Sequence, residues 1–175
     1  MTIYRGSNQR IPEYHSWVSL CLGMGIETYV ELGVGSSWEH AQAGIKVVTV
    51  DLLPNGLPGI HHIQNDSHSL DTLHQVLEYL GGPPDCVFID ADHEYPAVSQ
   101  DFDMWYPAAT KLIGFHDILM PGVHQLWGEV KRQYPSVEII ARDPASGEAW
   151  QRGSGTNGDL NVGGIGVLFK NMDLR

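Results

Sequence analysis

The sequence predicts an α/β fold: one domain with a mostly parallel seven-stranded sheet, an antiparallel hairpin at its edge, and helices on both faces. Three observations predict it. Strand-length apolar runs alternate with helix-length runs through most of the chain. Several of the strand runs are apolar on both faces, as strands buried between two helical layers must be. The last two strand runs follow one another across a glycine-rich segment with no helix between them. The expected domain spans residues 1–175, with a helical segment over 1–23 and the core over 24–175.

The elements follow in order. "IPEYHSWVSLCLG" has helical spacing, with Pro12 near its start and Gly23 just past its end. "TYVEL" is a short strand running into a glycine turn. "SSWEHAQAG" is a helix that Ser36 or Ser37 would cap and Gly44 would end. "KVVTVDLL" is an apolar strand ending at Asp51, and "GIHHIQND" a less apolar one ending near Asn65. "SLDTLHQVLEYLGG" is the clearest helix, with Leu70, Leu73, Val76, Leu77 and Leu80 on one face. "DCVFID" is a buried strand, "YPAVSQDFDMWYPA" a helix, "KLIGFHD" a strand and "VHQLWGEVKRQYP" a helix. "VEIIA" and "GGIGVLFK" are the two closing strands.

Composition narrows the function. The 175 residues carry a net charge of -11 with only 10 Lys and Arg, so the clustered cations that bind nucleic acid or an anionic membrane are missing. No apolar run approaches the ~20 residues that span a bilayer. Cys21 and Cys86 lie in apolar surroundings and read as buried free thiols. A cytoplasmic protein is the expectation, and homo-oligomerisation stays open.

In an open α/β sheet the ligand sits beyond the carboxyl ends of the strands. Those ends carry Glu31 to Ser37, Asp51, Asn65 to Ser67, Asp90 to His93, and His116 with Asp117. In "YVELGVGSSW", Gly33 and Gly35 make a tight turn, but Trp38 stands where a dinucleotide-binding turn has its third glycine. Asp51, 18 residues after Gly33, is placed to accept both hydroxyls of a ribose. The ligand therefore has a ribose and no diphosphate. S-adenosylmethionine fits, and its cationic groups suit an acidic neighbour such as Glu31.

The stretches "YVELGVGSS", "VVTVDLLP", "IQNDSHS", "PDCVFIDADHEYPAVSQDFDMW" and "IGFHDI" resemble, in the same order, those of class I S-adenosylmethionine-dependent methyltransferases. The chain is most similar to the macrocin O-methyltransferase group, with "FIDADHEY" followed by "FHD" the most specific part. The resemblance implies a Rossmann-like methyltransferase fold. It implies that Glu31, Gly33, Gly35 and Ser36 border the methionine part of the cofactor. Asp51 would hold the ribose, Asp66 and Ser67 would face the adenine, and Asp90 would lie near the methionine or a metal. Asp66 or Ser67 reads equally well as a helix N-cap.

The same resemblance implies a divalent ion, Mg²⁺ or Mn²⁺, at Asp90, His116 and Asp117. His116 departs from the usual carboxylate or amide and favours Mn²⁺, Fe²⁺ or Zn²⁺. His93, three residues past Asp90, matches the lysine that removes the acceptor proton in catechol-type O-methyltransferases. Its reference pKa of ~6.5 suits that work without a large shift, and ~3.9 makes Asp92 the weaker rival. His15, His40, His74 and His124 read as surface or packing residues. The expected activity is methyl transfer to a hydroxyl of a small molecule whose identity no motif reveals. A non-catalytic adenosylmethionine or nucleoside-binding module and a metal-dependent hydrolase are the competing readings. The polar stretch 142–161, with Trp150, is a candidate cover for the acceptor.

Overall fold

The computed structural model describes residues 11–34, 37–54, 57, 59–141 and 163–170. The expectations for Gly35, Ser36, Trp150 and the stretch 142–161 fall outside the described residues.

The elements are α1 (Ile11–Gly23), β1 (Thr28–Leu32), α2 (Trp38–Gln42), β2 (Lys46–Asp51), β3 (His61–Gln64), α3 (Leu70–Leu80), β4 (Cys86–Ile89), α4 (Tyr95–Trp105), β5 (Leu112–Phe115), α5 (Pro121–Val130), β6 (Ser136–Ile139) and β7 (Ile165–Phe169). They build one seven-stranded sheet in the order β3-β2-β1-β4-β5-β7-β6. Neighbours from β3 to β5 pair in parallel, while β7 runs antiparallel to both β5 and β6. The closing pair is thus the expected edge hairpin, with β6 outermost and β7 slotted inside it.

Side-chain alternation sorts the strand residues into two cores. Val30, Leu32, Val48, Val50, Val87, Ile89, Ile113 and Phe115 face the layer of α3, α4 and α5. Tyr29, Val47, Cys86, Phe88 and Leu112 face α1, whose Tyr14, Trp17 and Cys21 close that side. Cys21 and Cys86 are buried free thiols, as expected. All four residues of β4 and of β5 are buried, which is why their sequences are apolar throughout. No helix among the described residues is long and apolar enough to cross a membrane.

Two local expectations are corrected. Leu70 does not join the apolar face of α3: it is 63% exposed, while Thr72 is buried and hydrogen-bonds the Asp66 carbonyl. Leu70 is the first residue of its helix. The cap of α3 is neither Asp66 nor Ser67 but Ser69, whose hydroxyl accepts from the Asp71 N–H. Asp66 instead closes a turn within the loop, its Oδ1 accepting from the His68 N–H at 2.9 Å. Ser37 does occupy the N-cap position of α2, but its side chain makes no capping bond.

Candidate functional site

An open cavity of about 680 Å³ lies over the carboxyl ends of β1, β2, β3 and β4. Gly33, Asp51, Asp66, Ser67, Asp90 and His93 all line it. Six expected site residues, from four strand ends, therefore share one wall.

The glycine turn forms one end. Gly33 adopts φ +82°, and a β-carbon there would stand 2.2 Å from the Asp90 carbonyl oxygen. Only glycine combines that conformation with that approach, so β1 can lie against the exit of β4. Glu31 is fully buried and supports the turn from inside, its Oε2 accepting the Ser37 N–H at 3.2 Å. Asp51 reaches across from β2. Its Oδ2 accepts the Val34 N–H at 3.0 Å and its Oδ1 the Leu53 N–H at 2.8 Å. Each carboxylate oxygen can accept twice, so the aspartate is fixed in orientation and keeps acceptor capacity for diol hydroxyls.

At the other end Asp90 and His93 line the cavity and belong to a cluster of imidazoles and carboxylates whose remaining members, His116 and Asp117, lie outside that lining. His116, 4% exposed, sets its Nδ1 2.8 Å from Asp90 Oδ1 and 3.5 Å from Asp117 Oδ2. His93 Nε2 stands 3.6 Å from Asp90 Oδ1 and 3.4 Å from Asp117 Oδ2. That nitrogen is buried and makes no hydrogen bond. Asp90, His93 and His116 each bring one donor atom within 4.8 Å of the others. Asp117 sits at φ 53°, a left-handed conformation uncommon for any residue but glycine. Strain of that kind clusters at functional sites.

Charge follows from this geometry. The contact with Asp90 raises the pKa of His93 above its ordinary value, with the charge of Asp117 adding and burial opposing. Burial would push His116 down. The charge and hydrogen bond of Asp90, with Asp117 and Glu13 behind them, reverse that and leave it raised. Two carboxylates thus favour the charged form of His93.

Three residues escaped the sequence reading. Asp101 lies on α4 with its carboxylate fully buried, 3.3 Å from His68 Nε2, and burial raises its pKa. The signal was available, since Asp101 interrupts the apolar face of Val98, Phe102 and Trp105. His68 is bracketed by Asp101 and by Asp66, whose Oδ1 is 3.5 Å from Nδ1. Glu13 on α1 is 1% exposed and accepts two backbone N–H groups from distant segments. An acidic residue in a helix's first turn is ordinary, so nothing in the sequence marked it.

Comparison with known proteins places this arrangement. A family model described as a methyltransferase domain matches residues 17–118. No curated protein sequence matches the chain. Among solved structures, the chain is similar to the O-methyltransferase from Bacillus cereus in complex with SAH. The TM-score is 0.59 and the identity 16%, over 93% of this chain and 83% of that one. It is similar to the O-methyltransferase TomG from Streptomyces achromogenes, in complex with SAM, at TM-score 0.56 and 14% identity over 92% and 81%. The MycE methyltransferase from the mycinamycin biosynthetic pathway, in complex with Mg and SAH, scores 0.57 at 17% identity over 91% of this chain. The chain spans 33% to 48% of the MycE chains it matches. At these identities the structures show a shared fold, and the family model covers more than half of the chain. The protein belongs to the methyltransferase family and has the class I methyltransferase fold.

Proposed function

We propose that the protein transfers the methyl group of S-adenosylmethionine to a hydroxyl of a small molecule. One observation carries this: a glycine turn with a ribose-directed carboxylate, Gly33 and Asp51, opens on the same cavity as Asp90 and His93. The named relatives supply the cofactor by analogy, since their structures hold SAH or SAM.

The ribose hydroxyls are read by Asp51, and the adenine lies toward Asp66 and Ser67. The methionine end runs past Gly33, Gly35 and Ser36, with Glu31 behind the turn, toward Asp90. The sulfonium methyl then points at the cluster. The acceptor oxygen approaches in line with the methyl–sulfur bond, a geometry the cavity must enforce. The imidazole of His93, a residue of the cavity wall, takes the hydroxyl proton as the oxygen–carbon bond forms and the carbon–sulfur bond breaks. The products are a methyl ether, S-adenosylhomocysteine and an imidazolium that Asp90 and Asp117 stabilise.

The cluster also fits a divalent ion, because donor atoms of Asp90, His93 and His116 lie within 4.8 Å of one another and Asp117 Oδ2 stands 3.5 Å from His116 Nδ1. Asp90, His116 and Asp117 would hold it, and the imidazole inclines the choice toward Mn²⁺ over Mg²⁺. Such an ion would supply Lewis-acid assistance to the acceptor hydroxyl.

Titration calorimetry with S-adenosylhomocysteine, and turnover of labelled S-adenosylmethionine against a panel of hydroxylated metabolites, test the proposal. Micromolar binding with label transfer to oxygen is the expected result. Binding without transfer to any acceptor would make the protein a cofactor-binding module, and no binding would overturn the reading.

A further inference from the structure

Glu13 stands outside the segment that the family model matches, and so does Gly164. The two meet in the interior. Glu13 Oε2 accepts the Gly164 N–H at 3.1 Å, and Glu13 Oε1 accepts the Ala141 N–H at 2.7 Å. One buried carboxylate on α1 therefore fastens the end of β6 and the start of β7. A buried carboxylate is costly unless its oxygens are satisfied, and here both oxygens are spent on backbone.

The link continues from Gly164 to the cluster. The Gly164 carbonyl accepts the Ile118 N–H, and the Gly163 carbonyl accepts the Leu119 N–H, both at 3.3 Å. Gly164 adopts φ +79°, and a β-carbon there would press to 3.0 Å on Ile118 Cγ1. Ile118 is itself buried at 1% exposure. The residue before it is Asp117, held at φ 53°, with its carbonyl closing a turn onto the Met120 N–H at 2.8 Å. A left-handed aspartate persists only where its surroundings over-determine it. Downstream, that constraint is the pair of bonds from Ile118 and Leu119 to the β7 start, and Glu13 anchors the β7 start. Glu13 is also near enough to the cluster for its charge to act on His116.

We infer that Glu13 is a positioning residue for the site: through Gly164 and Ile118 it keeps Asp117 left-handed and its carboxylate aimed at His93 and His116. The N-terminal helix thereby contributes to the acceptor side of the centre without touching it. In its geometry the inference stands alone; in its effect on rate it rests on the methyl-transfer reading.

The test is Glu13→Gln, which keeps the shape but leaves an amide NH₂ where one of the two acceptors stood. Crystal structures of parent and variant are compared. The expected result is that Asp117 leaves the left-handed region and its Oδ2 withdraws from His93 Nε2, against 3.4 Å in the parent. S-adenosylhomocysteine affinity should stay within about twofold, since Gly33 and Asp51 lie on other strands. With an active acceptor, kcat should fall by up to ~10²-fold, as misplacement by about an ångström costs. Cys21→Ala loosens the same helix without touching the link and should leave Asp117 in place. Gly164→Ala breaks the link from the other side and should reproduce the displacement, which keeps the test open if Glu13→Gln fails to fold. Asp117 unmoved in whichever of the two variants folds overturns the inference, whatever the rate. A displaced Asp117 supports it even if no methyl transfer is ever found.

Discussion

Asp90 Oδ1 lies 2.8 Å from His116 Nδ1, a contact between the ends of two adjacent parallel strands. The register of β4 and β5 pairs Ile89 with Phe115, so the next residue on each strand, Asp90 and His116, must emerge side by side. His93, three residues on, turns back toward the same carboxylate. The cluster is thus a product of strand pairing, and substitutions in it are expected to change chemistry more than fold.

His93→Ala should lower the methyl-transfer rate by ~10²–10⁴ while leaving S-adenosylhomocysteine affinity nearly unchanged. Because Asp90 and Asp117 raise the His93 pKa, the working neutral imidazole accumulates only above the ordinary ~6.5. The parent rate should therefore rise with pH, with a midpoint above that value, and the slope should vanish in the variant. Steady-state rates from pH 5.5 to 9 decide it; full activity in the variant refutes the base assignment.

Asp51→Ala should cut cofactor affinity sharply, since two charge-assisted hydrogen bonds at ~1.5–3 kcal/mol each are removed. Part of that loss comes from freeing the Val34 and Leu53 N–H groups that now hold the turn. The 2′-deoxyribose analogue of S-adenosylhomocysteine separates the two contributions by calorimetry. If parent and variant prefer the ribose equally, Asp51 does not read it.

Asp90→Asn should weaken Mn²⁺ binding by at least tenfold, because the remaining ligands neutralise the cation less well. A cation held by Asp90 and Asp117 also opposes the charge on His93, so saturating Mn²⁺ should lower the midpoint of the pH–rate profile. Electron paramagnetic resonance counts bound Mn²⁺ directly. Undiminished binding in the variant, or activity that survives exhaustive chelation, removes the ion from the proposal.

Much of this was legible before any coordinates. The strands with continuous apolar runs, β4 and β5, announced themselves because both of their faces are buried. The polar groups ending those runs could then be assigned to one rim, since strand ends of a parallel sheet share a side. What escaped was set by tertiary contact. Ser69 outcompeted Asp66 as a cap because Asp66 was already committed to its own turn. The raised pKa of His93 comes first from Asp90, three residues before it, but also from Asp117, 24 positions away in sequence, and no spacing rule joins His93 to Asp117. Glu13 acts on residues more than a hundred positions distant.

His40 predicts an acid-sensitive fold. It stacks on Tyr29 at 4.1 Å between ring centres, and its Nδ1 is 3.1 Å from the Tyr14 hydroxyl. Burial lowers its pKa from 6.5 to about 3. The unfolded chain therefore takes up a proton that the folded one refuses, and stability is lost as pH falls from about 6.5 toward 3. The slope approaches about 1.4 kcal/mol per pH unit from this residue alone. His40→Phe should flatten the curve by that amount in urea titrations between pH 6.5 and 4. An unchanged slope means that His40 is protonated in the folded state.

The position of β7 has a consequence for how the chain is made. The strand lies between β5 and β6, yet it follows both of them and is the last of the described strands. While a ribosome is still producing the segment after β6, the apolar edge of β5 has no partner, and β6 has nothing to pair with. An unpaired, hydrophobic strand edge is a template for association between nascent chains. The sheet can therefore close only as residues 165–169 emerge. A truncation just before them should yield insoluble protein, although every residue lining the cavity would already have been translated.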